Sequence, residues 1–170
     1  MQGRVCGILG YGRLGEIFSR YAHAFEMEVL ACDPHKTISD PWVRQVDFDT
    51  LLCEAEIVTI HIHLTEETTH YIGDREFSLM RHGVYLVNTS RGRIIDEAAF
   101  VRALESGKVA AAGVDVISTE LDGIIANNPL VAYARAHSNL IITPHIGGFT
   151  LDSQRKALVH MAGKLARELT

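Results

Sequence analysis

The sequence predicts an α/β domain in which helices cover both faces of one doubly wound parallel sheet, giving three α/β/α layers. Short runs that are apolar throughout alternate with segments of helical periodicity. This alternation is typical of parallel strands that are buried on both faces. The chain has 170 residues, 47% of them hydrophobic, which suits a single domain with one ordinary core.

Each predicted element follows from its own pattern. The predicted strands are residues 4–9, 28–32, 56–62, 83–88, 109–116 and 140–143, and the predicted helices are residues 13–25, 48–54, 74–80, 96–106 and 150–169. The clearest helix begins after Asp96, a favourable N-cap, and ends at Gly107, which tolerates a left-handed backbone. Asp49 lies near the expected start of the second helix.

Composition excludes several classes of protein. A net charge of −5 opposes a nucleic-acid surface, which normally needs a basic face. No apolar run approaches the roughly 20 residues that span a bilayer, and the first residues lack a signal-peptide pattern. Cys6, Cys32 and Cys53 have no metal-ligand spacing and are expected to be free thiols in a reducing compartment. We therefore expect a cytoplasmic protein that binds neither nucleic acid nor membrane.

The strongest local motif is a G-x-G-x-x-G loop between the first predicted strand and the first helix. It comprises Gly10, Tyr11, Gly12, Arg13, Leu14 and Gly15. Gly10 permits the tight turn, Gly12 lets the backbone approach a pyrophosphate, and Gly15 allows the helix to pack closely on the strand. The pyrophosphate then lies over free N–H groups at the positive helix end. The loop therefore predicts a Rossmann-type fold with Gly10, Gly12, Arg13, Leu14 and Gly15 at the cofactor.

Asp33 ends the second predicted strand, where such folds place a ribose-binding carboxylate. It would accept hydrogen bonds from the adenosine ribose hydroxyls and repel a 2′-phosphate, which predicts NAD as the cofactor. The Asp33-Pro34 pair is also typical of a plain strand-ending turn. The cationic neighbours His35 and Lys36 leave some tolerance for NADP open.

Four further segments carry a resemblance to a known family. They are residues 61–65 (His-Ile-His-Leu-Thr), 88–92 (Asn-Thr-Ser-Arg-Gly), 113–116 (Gly-Val-Asp-Val) with Glu120, and 143–148 (Thr-Pro-His-Ile-Gly-Gly). With the glycine loop they resemble the coenzyme domain of D-isomer-specific 2-hydroxyacid dehydrogenases, over nearly the whole chain. Residues 128–148 are most similar to phosphoglycerate-dehydrogenase-like members. The resemblance implies an oxidoreductase that transfers a hydride between a D-2-hydroxy acid and NAD.

The resemblance also implies roles for four residues. Arg91 would bind the substrate carboxylate through forked donation. His145 would exchange the proton of the C2 hydroxyl, and Glu120 would hold one nitrogen of its ring. Asp115 is expected at the nicotinamide carboxamide. For an isolated arginine or histidine a surface or packing role is the ordinary interpretation, and only the motif context favours catalysis.

Two departures from the family pattern stand out. The family usually has proline where this chain has His63, and again after the glutamate, where this chain has Leu121. His61 and His63 alternate along one predicted strand and suggest a metal pair. No third ligand stands at a suitable spacing, so we expect no metal.

Full-length members of the family also have a substrate domain. We expect residues 1–170 to form the NAD-binding domain without it, to bind NAD(H) and to turn over substrate poorly when isolated. A homodimer is a further expectation from the resemblance. Two alternatives are an NAD-sensing module like the family's transcriptional corepressors, and another Rossmann enzyme such as an L-alanine dehydrogenase or adenosylhomocysteine hydrolase relative. The latter lack the Thr-Pro-His-Ile-Gly-Gly segment.

Overall fold

The computed structural model describes residues 1–120 and 125–169, which contain seven strands and six α-helices. The strands are β1 (Val5–Leu9), β2 (Glu28–Cys32), β3 (Val43–Gln45), β4 (Ile57–Ile60), β5 (Val84–Asn88), β6 (Val109–Val114) and β7 (Leu140–Ile142). The helices are α1 (Arg13–Ala24), α2 (Phe48–Glu54), α3 (Asp74–Leu79), α4 (Glu97–Glu105), α5 (Pro129–Ala136) and α6 (Leu151–Glu168).

All seven strands are parallel and lie in the order β3-β2-β1-β4-β5-β6-β7. The chain winds outward from β1 through β2 to β3, and then returns to place β4 on the other side of β1. The predicted doubly wound α/β class is confirmed. Ligands of such sheets bind at the carboxyl ends of the strands beside this reversal, and the glycine loop follows β1 at that point.

The sequence patterns missed two short elements. The strand β3 has only three residues at one edge of the sheet, too few to show a period. The helix α5 is capped by Asn128, which accepts hydrogen bonds from the N–H groups of Leu130 and Val131. Pro129 occupies its first turn, a position where the missing proline N–H costs nothing.

The cap of α2 also differs from expectation. Asp47, rather than Asp49, has the extended backbone of an N-cap and accepts the Thr50 N–H at 2.8 Å. Asp49 already belongs to the first turn. At α4 the prediction is confirmed, since Asp96 caps the helix and Gly107 ends it at φ +72°.

The two faces of the sheet are covered unequally. The larger core lies between the sheet and α2 to α5, and a smaller one lies between the sheet and α1. On the α1 side Tyr85 and Ile141 are 44% and 66% exposed, so this face is open beyond α1. The 18-residue α6 buries none of its described residues. No described helix is long and apolar enough to cross a bilayer.

His61 follows β4 and gives the fold a pH-dependent stability. Its ring lies 5.5 Å from that of Phe18, and one ring nitrogen lies 3.1 Å from the Thr59 Oγ1. Burial lowers the pKa of His61, so the native state excludes a proton that the unfolded chain binds near pH 6.5. The free energy of unfolding should therefore fall as the pH drops below about 6.5, down to the depressed native pKa.

Replacing His61 by asparagine should flatten this dependence, as measured by urea unfolding at about pH 7.5 and about pH 5.5. The matched control is His160→Asn on the exposed surface of α6, which should retain the dependence. Equal pH dependence in the parent chain and His61→Asn would contradict the prediction.

Candidate active site

The glycine loop, which we call the cradle, is tightly packed at Gly10 and Gly15 and borders open space at Gly12. Gly10 has φ +93° and its N–H donates to the Cys32 carbonyl at 2.9 Å. A Cβ on Gly15 would lie 2.2 Å from the Gly10 carbonyl oxygen, whereas one on Gly12 would meet nothing within 4 Å. The N–H groups of the first turn of α1 have no acceptor within the helix. These residues therefore fit the pyrophosphate of a dinucleotide.

Asp33 connects the end of β2 to this cradle. Its Oδ2 accepts the Tyr11 N–H and its Oδ1 accepts the His35 N–H, both at 2.9 Å. Each carboxylate oxygen retains a second acceptor position for a ribose hydroxyl. A cleft of about 870 Å³ opens here, lined in part by Asp33, Lys36, Phe48 and Tyr71, and its volume is ample for the adenosine portion of a dinucleotide.

Lys36 is a cationic neighbour of Asp33 in sequence, and its amino group contacts Tyr11 and Glu16. Tyr11 is fully buried, and its hydroxyl lies 2.8 Å from both the Ser19 Oγ and the Asp40 Oδ2. Burial raises the pKa of Tyr11 to about 12, so the phenol stays neutral and donates to Asp40. The Lys36 Nζ lies 5.0 Å above the Tyr11 ring and 3.2 Å from Glu16. Lys36 is therefore ion-paired with Glu16 of α1.

Two buried or partly buried residues hold the loop that presents Arg91. The Asn88 Nδ2 donates to the Arg91 carbonyl and its Oδ1 accepts the Ser90 N–H, both at 3.0 Å. The Ser90 hydroxyl donates to the Ile60 carbonyl at 2.8 Å and joins the loop to β4. The Asn-Thr-Ser-Arg-Gly motif alone predicts no role for Ser90. The Arg91 side chain remains exposed at the carboxyl end of β5.

His145 and Glu120 form a hydrogen-bonded pair beside the end of β7. The His145 Nδ1 lies 3.0 Å from the Glu120 Oε1, and the two side chains are 47% and 20% exposed. An ionised carboxylate only accepts hydrogen bonds, so Nδ1 carries the proton and Nε2 is left free. His145 has φ +54°, an uncommon backbone conformation that places the ring toward Glu120 at some cost in strain.

Asp115 fixes the loop that carries His145. Its buried carboxylate accepts hydrogen bonds from the Thr143 hydroxyl, the Ile146 N–H at 3.0 Å and the Gly147 N–H at 2.7 Å. Burial acts to raise the pKa of Asp115, but these donors and the nearby His145 outweigh it and hold that pKa below its ordinary value. A Cβ on Gly147 would lie 2.9 Å from the Asp115 Oδ2, which explains the glycine.

The sheet brings the predicted residues together at the carboxyl ends of its strands, and we call this end of the sheet the edge. Arg91 follows β5, Asp115 and Glu120 follow β6, and His145 follows β7, and these three strands are neighbours. The glycine loop lies at the same end of the sheet, after β1, and β4 is the one strand that separates β1 from β5. An apolar pocket of about 430 Å³ adjoins Glu120 and His145. Among the described residues no three potential metal ligands converge.

Two buried polar residues near the site, Glu97 and Asn128, were not predicted from the sequence. Glu97 is 8% exposed and Asn128 is fully buried, and the two are hydrogen bonded at 2.6 Å. A local sequence signal identifies Asp96 as a helix cap, whereas the cap at Asn128 was missed together with α5. Local signals do not reveal that Glu97 and Asn128 meet, because 31 residues separate them.

The fold and the residues at the carboxyl ends of its strands define a dinucleotide-binding domain that carries a hydrogen-bonded histidine–glutamate pair. The profile of the D-isomer specific 2-hydroxyacid dehydrogenase NAD-binding domain matches residues 1–147. The chain belongs to this family. The resemblance drawn from its motifs is confirmed, and so is NAD as the cofactor.

Comparisons with individual proteins agree with this assignment. A hydroxypyruvate reductase of Thermotoga maritima is 38% identical over 167 residues, covering 98% of this chain and 53% of the relative. A D-3-phosphoglycerate dehydrogenase of Archaeoglobus fulgidus is 40% identical over 157 residues, covering 91% and 29%. A D-lactate dehydrogenase from Aquifex aeolicus, solved with NAD and lactic acid, superposes with a TM-score of 0.83 at 31% identity, covering 97% and 54%.

The chain thus spans about half or less of the length of these relatives. All three are named as reductases or dehydrogenases, so an NAD-sensing corepressor is not favoured. The profile match equally disfavours the other Rossmann enzymes considered above.

Proposed function

We propose that this chain is the NAD-binding domain of an oxidoreductase that transfers a hydride between a small D-2-hydroxy acid and NAD. The observation that supports this most directly is the pair of His145 and Glu120 at 3.0 Å. His145 lies on a loop that Asp115 anchors through three hydrogen bonds. A solvated histidine would need neither the partner nor the anchored loop, whereas an acid–base catalyst needs both.

The chemistry divides among three residues. Arg91 would bind the substrate carboxylate through two parallel N–H donors. The free Nε2 of His145 would take the proton of the C2 hydroxyl and return it in the reverse direction, while Glu120 holds Nδ1–H and stabilises the imidazolium. When bound, NAD supplies the hydride acceptor. We propose that Gly10, Gly12, Arg13, Leu14, Gly15 and Asp33 hold it, and that Asp115 also faces its carboxamide.

We further propose that the isolated chain binds NAD(H) but catalyses poorly. Arg91 is exposed and His145 is 47% exposed, whereas hydride transfer needs fixed geometry in a site that excludes water. The relatives are about twice as long or longer, so their remaining residues are available to complete the cleft.

A chimera tests this function. The chain replaces the matching 53% of the Thermotoga maritima hydroxypyruvate reductase, and NADH formation or consumption is followed with hydroxypyruvate, glyoxylate, D-lactate and D-3-phosphoglycerate. We expect turnover by the chimera and little by the chain alone. A folded chimera that binds NADH but acts on none of these acids would contradict the proposed function, and rapid turnover by the chain alone would contradict the need for a completed cleft.

The cofactor preference can be tested on the chain itself. We expect NAD to bind more tightly than NADP, because the Asp33 carboxylate would face the 2′-phosphate while Lys36 is engaged by Glu16. Asp33→Asn removes the charge with little change of shape and should raise the NADP affinity about tenfold, or ~1.4 kcal/mol. Isothermal titration with both nucleotides measures this.

The control for that titration is Asp152→Asn, in the exposed first turn of α6, which should leave both affinities unchanged. An equal gain in NADP affinity for Asp152→Asn would show that the gain in Asp33→Asn comes only from the changed net charge of the chain. An unchanged preference in Asp33→Asn would exclude Asp33 as its cause.

Two broader expectations are retained as proposals. We propose a cytoplasmic location, supported by the free thiols of Cys6, Cys32 and Cys53. We also propose a homodimer, supported by an apolar stripe of Ile17 and Tyr21 on α1 and Phe25 at its C-cap, which are 45%, 62% and 64% exposed.

A further inference from the structure

A buried polar cluster lies directly below the segment that leads to Glu120. The Glu97 carboxylate accepts the Ser118 N–H at 2.6 Å through Oε1. Through Oε2 it accepts the Ser118 hydroxyl at 2.7 Å and the Asn128 Nδ2 at 2.6 Å. The Asn128 Nδ2 also reaches the Thr119 hydroxyl at 3.2 Å. We call Glu97, Ser118, Thr119 and Asn128 the carboxylate clamp.

The clamp joins three parts of the fold. Glu97 is the first residue of α4, and the Asn128 Oδ1 caps α5 by accepting the Leu130 N–H at 2.9 Å. Ser118 belongs to the segment between them, two residues before Glu120. The clamp therefore connects the starts of two helices to the backbone that sets the position of the Glu120 carboxylate.

The same segment also rests on the loop that carries Arg91. A Cβ on Gly92 would lie 2.1 Å from the carbonyl carbon of Ile117 and 2.4 Å from the Ser118 nitrogen. The two backbones are thus in direct contact, and a shift of residues 117–119 must disturb Gly92. The segment that the clamp holds therefore leads to Glu120 and contacts the loop of Arg91.

A carboxylate at this depth is costly unless several donors satisfy it. Asp96 already caps α4, so Glu97 is not needed to begin that helix. An amide at position 97 would keep one acceptor oxygen but place its NH₂ against either Asn128 or Ser118, both of which donate here. The cluster requires a carboxylate in particular.

We propose that Glu97 is a positioning residue, which acts through Ser118 and Asn128 to hold Glu120 in register with His145. The proposal rests on the proposed function of that pair. Its consequence is that Glu97, which lies below the edge and outside the Glu120–His145 pair, fixes the proton of His145 on Nδ1 and leaves Nε2 free for substrate.

The test is the tautomer of His145, read from ¹⁵N side-chain spectra of the whole chain at about pH 8, where imidazoles are mostly neutral. The parent chain should show the Nδ1-protonated form. Glu120→Ala removes the acceptor of Nδ1–H and should shift the ring toward the other tautomer. Glu97→Gln should lower the Nδ1-protonated share by about half, because Glu120 loses its register. Ser118→Ala removes only the hydroxyl contact and should give a smaller shift in the same direction.

Two controls separate positioning from general damage. Glu105→Gln makes the same charge change at an exposed site at the other end of α4 and should leave the tautomer unchanged. The NADH affinity of Glu97→Gln should stay within about twofold of the parent, since the glycine loop follows β1, which β4 and β5 separate from β6. If Glu97→Gln does not fold, Ser118→Ala alone decides the outcome.

The variants distinguish a failure of the positioning role of Glu97 from a failure of the function proposed for the His145–Glu120 pair. If Glu120→Ala changes the tautomer while Glu97→Gln and Ser118→Ala do not, the positioning role is wrong and the histidine–glutamate pair stands. If Glu120→Ala itself leaves the tautomer unchanged, the pair and the proposed function both fail. A tautomer change in Glu105→Gln equal to that in Glu97→Gln would also overturn the positioning role.

Discussion

Replacing His145 by glutamine in the chimera should lower kcat by a factor of about 10² to 10⁴, the range that a positioned acid–base catalyst contributes. The amide keeps polar contact with Glu120 but cannot take a proton. The backbone of the loop should persist, because Asp115 holds it through Thr143, Ile146 and Gly147 rather than through the imidazole.

Binding of NADH to the same variant should remain within about twofold of the parent, since the proposed dinucleotide cradle uses none of the His145 atoms. His160→Gln on exposed α6 makes the same side-chain change away from the edge and should leave kcat unaffected. Initial rates with hydroxypyruvate and NADH give kcat, and fluorescence titration gives the NADH dissociation constant. A loss confined to KM would point to substrate binding and contradict the acid–base role.

The fold was largely predictable because its signals are local. Continuous apolar strands, the glycine loop and the Asp96 cap each depend on a few consecutive residues. What escaped prediction was short or non-local. The three residues of β3 show no period. The N-cap of α2 was missed because Asp47 and Asp49 lie close together, and only the backbone conformation shows that Asp47 is the cap.

In the candidate site, too, local motifs were predictive and contacts between distant residues were not. The motif around Arg91, Asp115, Glu120 and His145 predicted which residues gather at the sheet edge. It did not predict how Asp115 is used, because its three donors lie 28, 31 and 32 residues further along the chain. Its contact with the nicotinamide stays a prediction.

The glycine loop allows stability and cofactor binding to be separated by matched substitutions. Gly15→Ala should lower the free energy of unfolding by about 3 kcal/mol, since the new methyl group would lie 2.2 Å from the Gly10 carbonyl oxygen and the backbone on both sides must move. NAD binding should be lost with it, because the displaced segment is the turn that forms the cradle.

Gly12→Ala should behave differently. Its methyl group meets no atom of the chain within 4 Å, and the residue has φ −74°, which alanine adopts readily. The stability cost should therefore stay below about 1 kcal/mol, the loss of a favourable N-cap. The methyl group nevertheless projects into the space where the pyrophosphate would lie, so the NAD dissociation constant should rise at least about tenfold.

Gly163→Ala completes the series, since a Cβ there also meets nothing within 4 Å and alanine favours the interior of α6. It should leave NAD binding unchanged and the stability equal or slightly higher. Urea unfolding and calorimetric titration of the three variants measure both quantities. Parallel losses of stability and binding in Gly12→Ala would mean that the loop tolerates no side chain for structural reasons alone. The open space above Gly12 would then not be the pyrophosphate site, and NAD would have to bind elsewhere along the edge.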